Sequence, residues 1–340
     1  MEGPTSIPTV TIEKPSLPTL WLDTSVAIKL TKIKKGEALQ QIEAERCTRL
    51  RDLVFRLVRE GKLLCPVADQ EEEYAGERLD EEISSMFATL SLGISLTHRQ
   101  AILDSQIFKG MTAFANKEES IFLPASIHFR GDPIRRLQQA IREPYIVSIG
   151  PWKSPEILKR RAQSKENIGQ QWEQLRLELR AKGQTFERQL AVEQLGELTA
   201  MRTLVQKFFD NLLSGKHDFW DFMGAQGPLL YRYYWNEIKG QPPDWEGVLS
   251  FFSSPYFFEL PQPFATTRLV AELLTGNEPI EPSDPIDVEF LSIALSVAHY
   301  VLADRRMEIR IKNLGLDKKC GAEVYSMSTI NGLFRRLEAI

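Results

Sequence analysis

Apolar residues along this chain come in two kinds of pattern, and they alternate at its two ends. Leu20-Trp21-Leu22 is a short continuous apolar run that stops at Asp23 and passes into Thr24, Ser25 and Val26. Such a run, closed by a residue that favours helix starts, predicts a buried strand over 19–22 followed at once by a helix. A helical pattern then covers 25–59 and is expected to break near Gly36. Beyond it Ile42, Leu50, Leu53, Val54 and Leu57 recur at helical spacing. Gly61, preceded by basic residues, ends that helix. Residues 62–66, Lys-Leu-Leu-Cys-Pro, read as a second short strand, and a charged helix is expected from near Glu71. The order β-α-β-α over the first eighty residues implies a parallel sheet.

The pattern changes from about Asp80 to Asn277, where helical periodicity dominates and strand signals are few. A long or twice-broken helix is expected over 157–214, with Leu175, Leu179, Phe186, Leu190, Leu195 and Leu198 on its apolar side. An aromatic run follows, Phe219 to Phe222 and Tyr231 to Trp235, and reads as the core of this helical part. Residues 277–285 are rich in turn formers and mark a linker. The strand-helix grammar then returns. It gives an amphipathic helix over 286–298, a strand at 300–302 ending near Asp304, a helix over 305–314, a strand at 322–325 and a last helix over 329–337. The chain therefore reads as an extended tail (1–18), an α/β core in two parts (19–80 and 277–340) and a large α-helical insertion (81–276).

Composition narrows the picture only a little. A net charge of −4 does not mark the whole chain as a nucleic-acid binder, so any basic surface must be local. Cys47, Cys65 and Cys320 are isolated and odd in number, without zinc spacing. They read as small buried residues in a reducing compartment, so a cytoplasmic location is expected. The first eighteen residues lack the basic and apolar regions of a signal peptide, and no run is long enough to span a membrane.

The candidate chemistry lies in the acids. Asp23 and Asp304 follow predicted strands, Asp284 and Asp287 open a predicted helix, and Glu71, Glu72 and Glu73 open another. In an open parallel sheet these positions fall at the carboxyl edge, where ligands bind. Carboxylates gathered there repel one another unless a hard cation neutralises them, and oxygen-rich sets suit Mg2+ or Mn2+. Each acid also has a plainer reading. Asp23 and Asp304 are good helix caps, Asp284 and Asp287 sit where a helix dipole favours anions, and Glu71–73 suits a solvated face.

Three segments together carry a resemblance. Leu20-Trp21-Leu22-Asp23-Thr24-Ser25, Asp284-Pro285-Ile286-Asp287 with its following helix, and Tyr300-Val301-Leu302-Ala303-Asp304-Arg305 resemble the motifs of PIN-domain (PIN-like) bacterial ribonucleases. The resemblance covers roughly 19–80 and 280–340. It implies a three-layer, parallel-sheet PIN-like α/β domain interrupted by the helical insertion. It also implies Asp23, Asp287 and Asp304 as metal-binding and catalytic acids. A fourth is expected in the helix after the second strand, with Glu73 first and Glu72 and Asp69 as alternatives. Thr24, Asp284 and His299 are secondary candidates. Two positions depart from the family pattern: His299 stands near where an extra acid is common, and Ala303 replaces a Thr or Ser. As a lone residue His299 reads equally as structural.

The function expected is a metal-dependent endoribonuclease using Mg2+ or Mn2+ on RNA, single-stranded or tRNA, with DNA as an open alternative. The resemblance adds toxin, defence or RNA-processing roles. Between residues 128 and 190 thirteen Lys and Arg stand against seven Asp and Glu. Arg135, Arg136, Lys159, Arg160 and Arg161 are the expected RNA contacts there, a solvated helix face being the plainer reading. The alternative from another class is a PIN-like binding or assembly module with weak or no catalysis, docking a regulatory or assembly protein through the insertion.

Overall fold

The computed structural model describes residues 7–68, 70, 74, 79–142, 155–215, 219–239 and 245–340. It is mixed α/β and mostly helical, with small parallel sheets. The strands are β1 (Thr9–Ile12), β2 (Leu20–Leu22), β3 (Ser120–Leu123), β4 (Tyr300–Leu302) and β5 (Glu323–Tyr325). Helices α1 (Thr24–Lys34), α2 (Gln41–Arg59), α3 (Asp80–Ser91) and α4 (Arg99–Asn116) precede β3. Helices α5 (Pro133–Arg142), α6 (Pro155–Ala181), α7 (Phe186–Leu213), α8 (Phe219–Lys239), α9 (Trp245–Phe252), α10 (Pro255–Phe258) and α11 (Pro261–Thr275) follow it. Helix α12 (Asp284–Val297) leads into β4, α13 (Arg305–Asn313) and α14 (Leu316–Cys320) separate β4 from β5, and α15 (Ile330–Glu338) follows β5.

Two compact units divide the chain. One comprises Met1–Ile12, Gln100–Leu123 and Leu175–Pro279; the other comprises Glu13–Arg99, Pro124–Gln174 and Ile280–Ile340. In the first, β1 pairs in parallel with β3 from Thr9↔Ser120 to Ile12↔Leu123. Helix α7 packs on α8 and α11. The aromatic residues form its core: Phe114, Tyr231, Trp235, Phe251, Phe252, Tyr256 and Phe257 are all buried. Among them Phe252 and Phe257 lie 4.7 Å apart by ring centroid.

The second unit is built on the parallel sheet β2-β4-β5, in register Leu22↔Leu302 and Leu302↔Tyr325. On the other side of β2, Leu20 donates its amide to Leu64 at 2.8 Å and Leu64 donates to Pro18 at 2.9 Å. Val67 in turn donates to Ile94 at 3.1 Å and accepts from Leu96 at 2.8 Å. The bridges Thr19↔Leu64 and Val67↔Ser95 are both parallel. Parallel segments therefore lie side by side in the order 94–96, 64–67, β2, β4, β5. Every residue of β2 is buried, as its continuous apolar run predicts. Ala27, Tyr74, Leu79, Ile83 and Phe87 form a buried cluster against α1.

Several elements differ from the sequence pattern. The expected strand at 62–66 contributes a single bridge at Leu64, because Pro66 has no amide to continue a ladder. The stretch 1–18, read as a tail, contains β1, and β3 lies within the part read as helical. The 157–214 stretch breaks once, between α6 and α7. There Gly183 takes a left-handed φ of +66° and donates to Arg180, which closes the end of α6. Of the expected leucine stripe Leu198 is buried, but Leu175 is 40% and Leu195 61% exposed, whereas Arg176 and Gln189 are each 3% exposed. Arg176 donates its guanidinium to Gly276 O at 3.2 Å, so a long stem with a satisfied head takes the inside position. In α2, Ile42 is likewise exposed while Cys47 and Val58 complete the buried stripe.

Helix α12 was expected to be amphipathic and is instead buried almost all round. Its serines make this tolerable by bonding back to the helix, Ser292 Oγ to Glu289 O at 2.8 Å and Ser296 Oγ to Ile293 O at 2.7 Å. Among the described residues no helix is long and apolar enough to cross a membrane. All three cysteines are free and buried.

Candidate acidic site at the strand ends

Asp23 and Asp304 end two adjacent parallel strands. The Asp23 amide donates to Leu302 O at 2.9 Å, which continues the β2–β4 ladder one residue past Leu22. This register sets Asp23 level with Ala303 and Asp304 one residue beyond, close enough at the carboxyl edge for the charge of Asp304 to act on Asp23. Each also caps a helix. Asp23 Oδ1 accepts from Ser25 N at 2.7 Å, and Asp304 Oδ1 accepts from Arg306 N at 2.6 Å and Met307 N at 3.1 Å. Cap and edge positions coincide because a strand in this sheet passes directly into a helix.

The electrostatics of Asp23 are those of a carboxylate out of water beside a like charge. Its exposure is 5%. Burial pushes its pKa above the usual 3.8, hydrogen bonding from Ser25 opposes that, and the charge of Asp304 pushes it further up.

Asp284 and Asp287 occupy the first turn of α12 and are both buried. Asp284 Oδ2 accepts from Glu281 N at 2.7 Å. The guanidinium of Arg306 stands 3.6 Å from Asp284 and that of Arg310 3.9 Å. Burial raises the pKa of Asp284, while the Glu281 amide and the two arginines pull it back. Arg306 also pairs with Glu281. It thus links the cap of α13, where Asp304 sits, to the start of α12. Arg306, Arg310 and Glu281 were not singled out from sequence, where an Arg-Arg after an Asp reads only as a helix start.

Gln70 was also missed. It is fully buried and donates to Leu22 O at 2.7 Å, with Thr24 Oγ1 at 3.5 Å. It therefore ties the loop after residue 67 to the end of β2, next to Asp23. The sequence signal for it was its place directly after Asp69, an alternative for the fourth acid. Thr24 is buried as the first residue of α1.

His299 lies at the other end of the strands. Its Nδ1 accepts from Thr19 N at 3.1 Å, and Thr19 O accepts the amides of His299 and Tyr300. A strand rises about 3.3 Å per residue, so His299 is on the order of 13 Å from the Asp23 edge. It serves the backbone at the entry to β2 and β4, and burial lowers its pKa.

Glu73, Glu72 and Asp69 lie outside the described residues. Among the described residues no group of three His, Cys, Asp and Glu side chains is placed to hold one metal ion. The donor chemistry at Asp23 and Asp304 is nonetheless all carboxylate oxygen under mutual repulsion, which fits a hard cation and not a soft one. Arg135 and Arg136 are exposed on α5, whose inward residue is Leu137. Lys159, Arg160 and Arg161 fall within α6, and their side chains lie outside the described residues.

No protein-family model, no curated protein and no solved structure matches this chain.

Proposed function

We propose that the second unit is a PIN-like nuclease domain and that the chain is a metal-dependent endoribonuclease. The observation that carries the reading is the pair Asp23 and Asp304 at the carboxyl ends of adjacent parallel strands, with the charge of one raising the pKa of the other. The order of parallel segments, in which β2 lies between 64–67 and β4, adds support.

On this reading Asp23, Asp287 and Asp304, which do not by themselves stand as one metal-holding group, would be completed by Glu73, with Glu72 or Asp69 as its alternatives, to hold Mg2+ or Mn2+. A cation held there would supply an activated water and offset the charge of the phosphodiester. Asp304 and Asp23 are held rigid by the amides they cap. Arg306 fixes the first turn of α12 against the start of α13. Arg135, Arg136, Lys159, Arg160 and Arg161 track the phosphates of RNA, single-stranded or tRNA. DNA is the competing substrate, and a cytoplasmic toxin, defence or RNA-processing role is part of the same proposal.

The test is cleavage of labelled single-stranded RNA, tRNA and DNA by the purified full chain. Cutting is expected with Mn2+ or Mg2+, none with EDTA, and a loss of at least about 100-fold in Asp23→Asn and in Asp304→Asn. Metal-dependent cutting that survives both substitutions sinks the site.

One contact favours a second reading. Asp284 is already matched by Arg306 and Arg310, which stabilises the acidic edge without a cation. The chain is then a PIN-like nucleic-acid- or protein-binding assembly module with weak or no catalysis. Absence of cutting under every metal, with RNA affinity retained, would select it.

A further inference from the structure

The first unit contains a cleft of about 750 Å3 lined by Arg202, Thr203, Gln206, Lys207, Asp210, Asn211, Trp245 and Leu249. Its two walls differ in chemistry. One is a single face of α7, where 202, 206 and 210 form one ridge and 203, 207 and 211 the next. Among the described residues that wall offers a guanidinium, an ammonium, two amides, a hydroxyl and one carboxylate, and Gln206 already donates to Asp210 at 2.8 Å. The facing wall is Trp245 and Leu249, one turn apart on α9.

The aromatic wall is held in place from behind. Val248, Phe251 and Phe252 are buried in the core of the unit. Gly247 meets the Trp235 ring so closely that a Cβ there would fall 2.3 Å from it. Helix α9 therefore approaches α8 closely at Gly247. The guanidinium of Arg232 lies 5.4 Å from the centroid of the Trp245 ring, which fixes the indole further.

We propose that this cleft binds a nucleotide. A base stacks against the Trp245 wall, Arg202 and Lys207 take the phosphate, and the amides of Gln206 and Asn211 meet the polar edge of the base. Aromatic stacking combined with cationic groups is the arrangement that holds single nucleotides and unpaired strands, and the volume lies within the usual range for small-ligand sites. The proposal goes beyond the nuclease reading and uses none of its residues. The nucleotide can be free or part of a single strand, and the experiment separates the two.

The full chain in EDTA is titrated with AMP, adenosine and inorganic phosphate by calorimetry, and with a short fluorescein-labelled oligoadenylate by anisotropy. The expected result is binding of AMP, of the oligonucleotide or of both, with adenosine weaker than AMP. Oligonucleotide binding without AMP binding assigns the site to strands; binding of both assigns it to the nucleotide itself. Arg202→Glu with Lys207→Glu alters two exposed side chains and is expected to cut affinity at least about tenfold, with the circular dichroism spectrum unchanged. Trp245→Leu is expected to weaken AMP and not inorganic phosphate. Asp23→Asn is expected to leave affinity unchanged, which keeps this result separate from the cleavage assay. The proposal is overturned if neither ligand binds, if affinity survives the double charge reversal, or if inorganic phosphate binds as tightly as AMP.

Discussion

A carboxylate buried beside another destabilises the fold that contains it unless something neutralises the pair. Asp23 is in that position, its pKa raised by burial and by Asp304. Between the unfolded value of 3.8 and the raised folded value the native state holds a proton that the unfolded state has released. Stability from this group therefore falls as pH rises through that window. Asp23→Asn keeps a capping side chain and removes the charge. Thermal scans without divalent metal are expected to give it a higher Tm than the parent at pH 7, with the gain vanishing below about pH 4. A lower Tm at every pH would contradict this account. His128 works in the opposite sense. It is fully buried with Nε2 3.2 Å from Ser296 Oγ, and burial above all, with Lys14's charge, pushes its pKa down to about 4 from 6.5. Here the unfolded state takes up the proton first, so stability drops as pH falls from 6.5 to about 4. The loss is on the order of 3 kcal/mol. His128→Gln should flatten that part of a Tm-against-pH curve, and an unchanged slope would show that other groups set it.

At the scale of elements, each strand-end aspartate has two tasks, and substitutions separate them. Asp304 accepts two amides at the start of α13. Asp304→Ala should cost about 1 kcal/mol of stability through the lost cap, whereas Asp304→Asn should cost far less. Both should abolish cleavage if the acid is needed for chemistry. Denaturant melts and the cleavage assay read the two effects independently, and equal destabilisation by Ala and Asn would rule out the cap as the cause. The strand-acid-helix units at Asp23 and Asp304 were legible because apolar run, acid and helix start are adjacent in sequence. So were the breaks at Gly36 and Gly61, which take φ of +74° and +71°. Strands β1 and β3 were not legible, since each is short and exists only through pairing with the other across more than a hundred residues. The buried face of α6 and α7 was misread in part: Leu198 is inside as expected, but Arg176 takes an inside position through Gly276, a hundred residues away, and Gln189 bonds to Gln184 and Glu193.

Taken as a whole, the molecule carries an overall negative charge and a basic stretch over 128–190. Arg135 and Arg136 are exposed on α5, with Asp132 capping its start. If they meet RNA phosphates, Arg135→Ala with Arg136→Ala should weaken binding across sequences and reduce the slope of log K against log salt by roughly 1.4. A changed affinity with an unchanged slope would point to a different cause.

Local order alone determined the strand-to-helix passages at both ends of the chain, the helical character of the middle and the identity of the strand-end acids. These follow from short-range periodicity and capping, which neighbours in sequence suffice to express. Only the tertiary structure decided which acids meet. The pairing of β2 with β4 brings Asp23 within reach of the charge of Asp304 across some 280 residues, and the arginines of α13 claim Asp284. His299 is carried to the opposite end of the same strands. Register, burial and ion pairing are properties of distant segments in contact, and no local pattern encodes them.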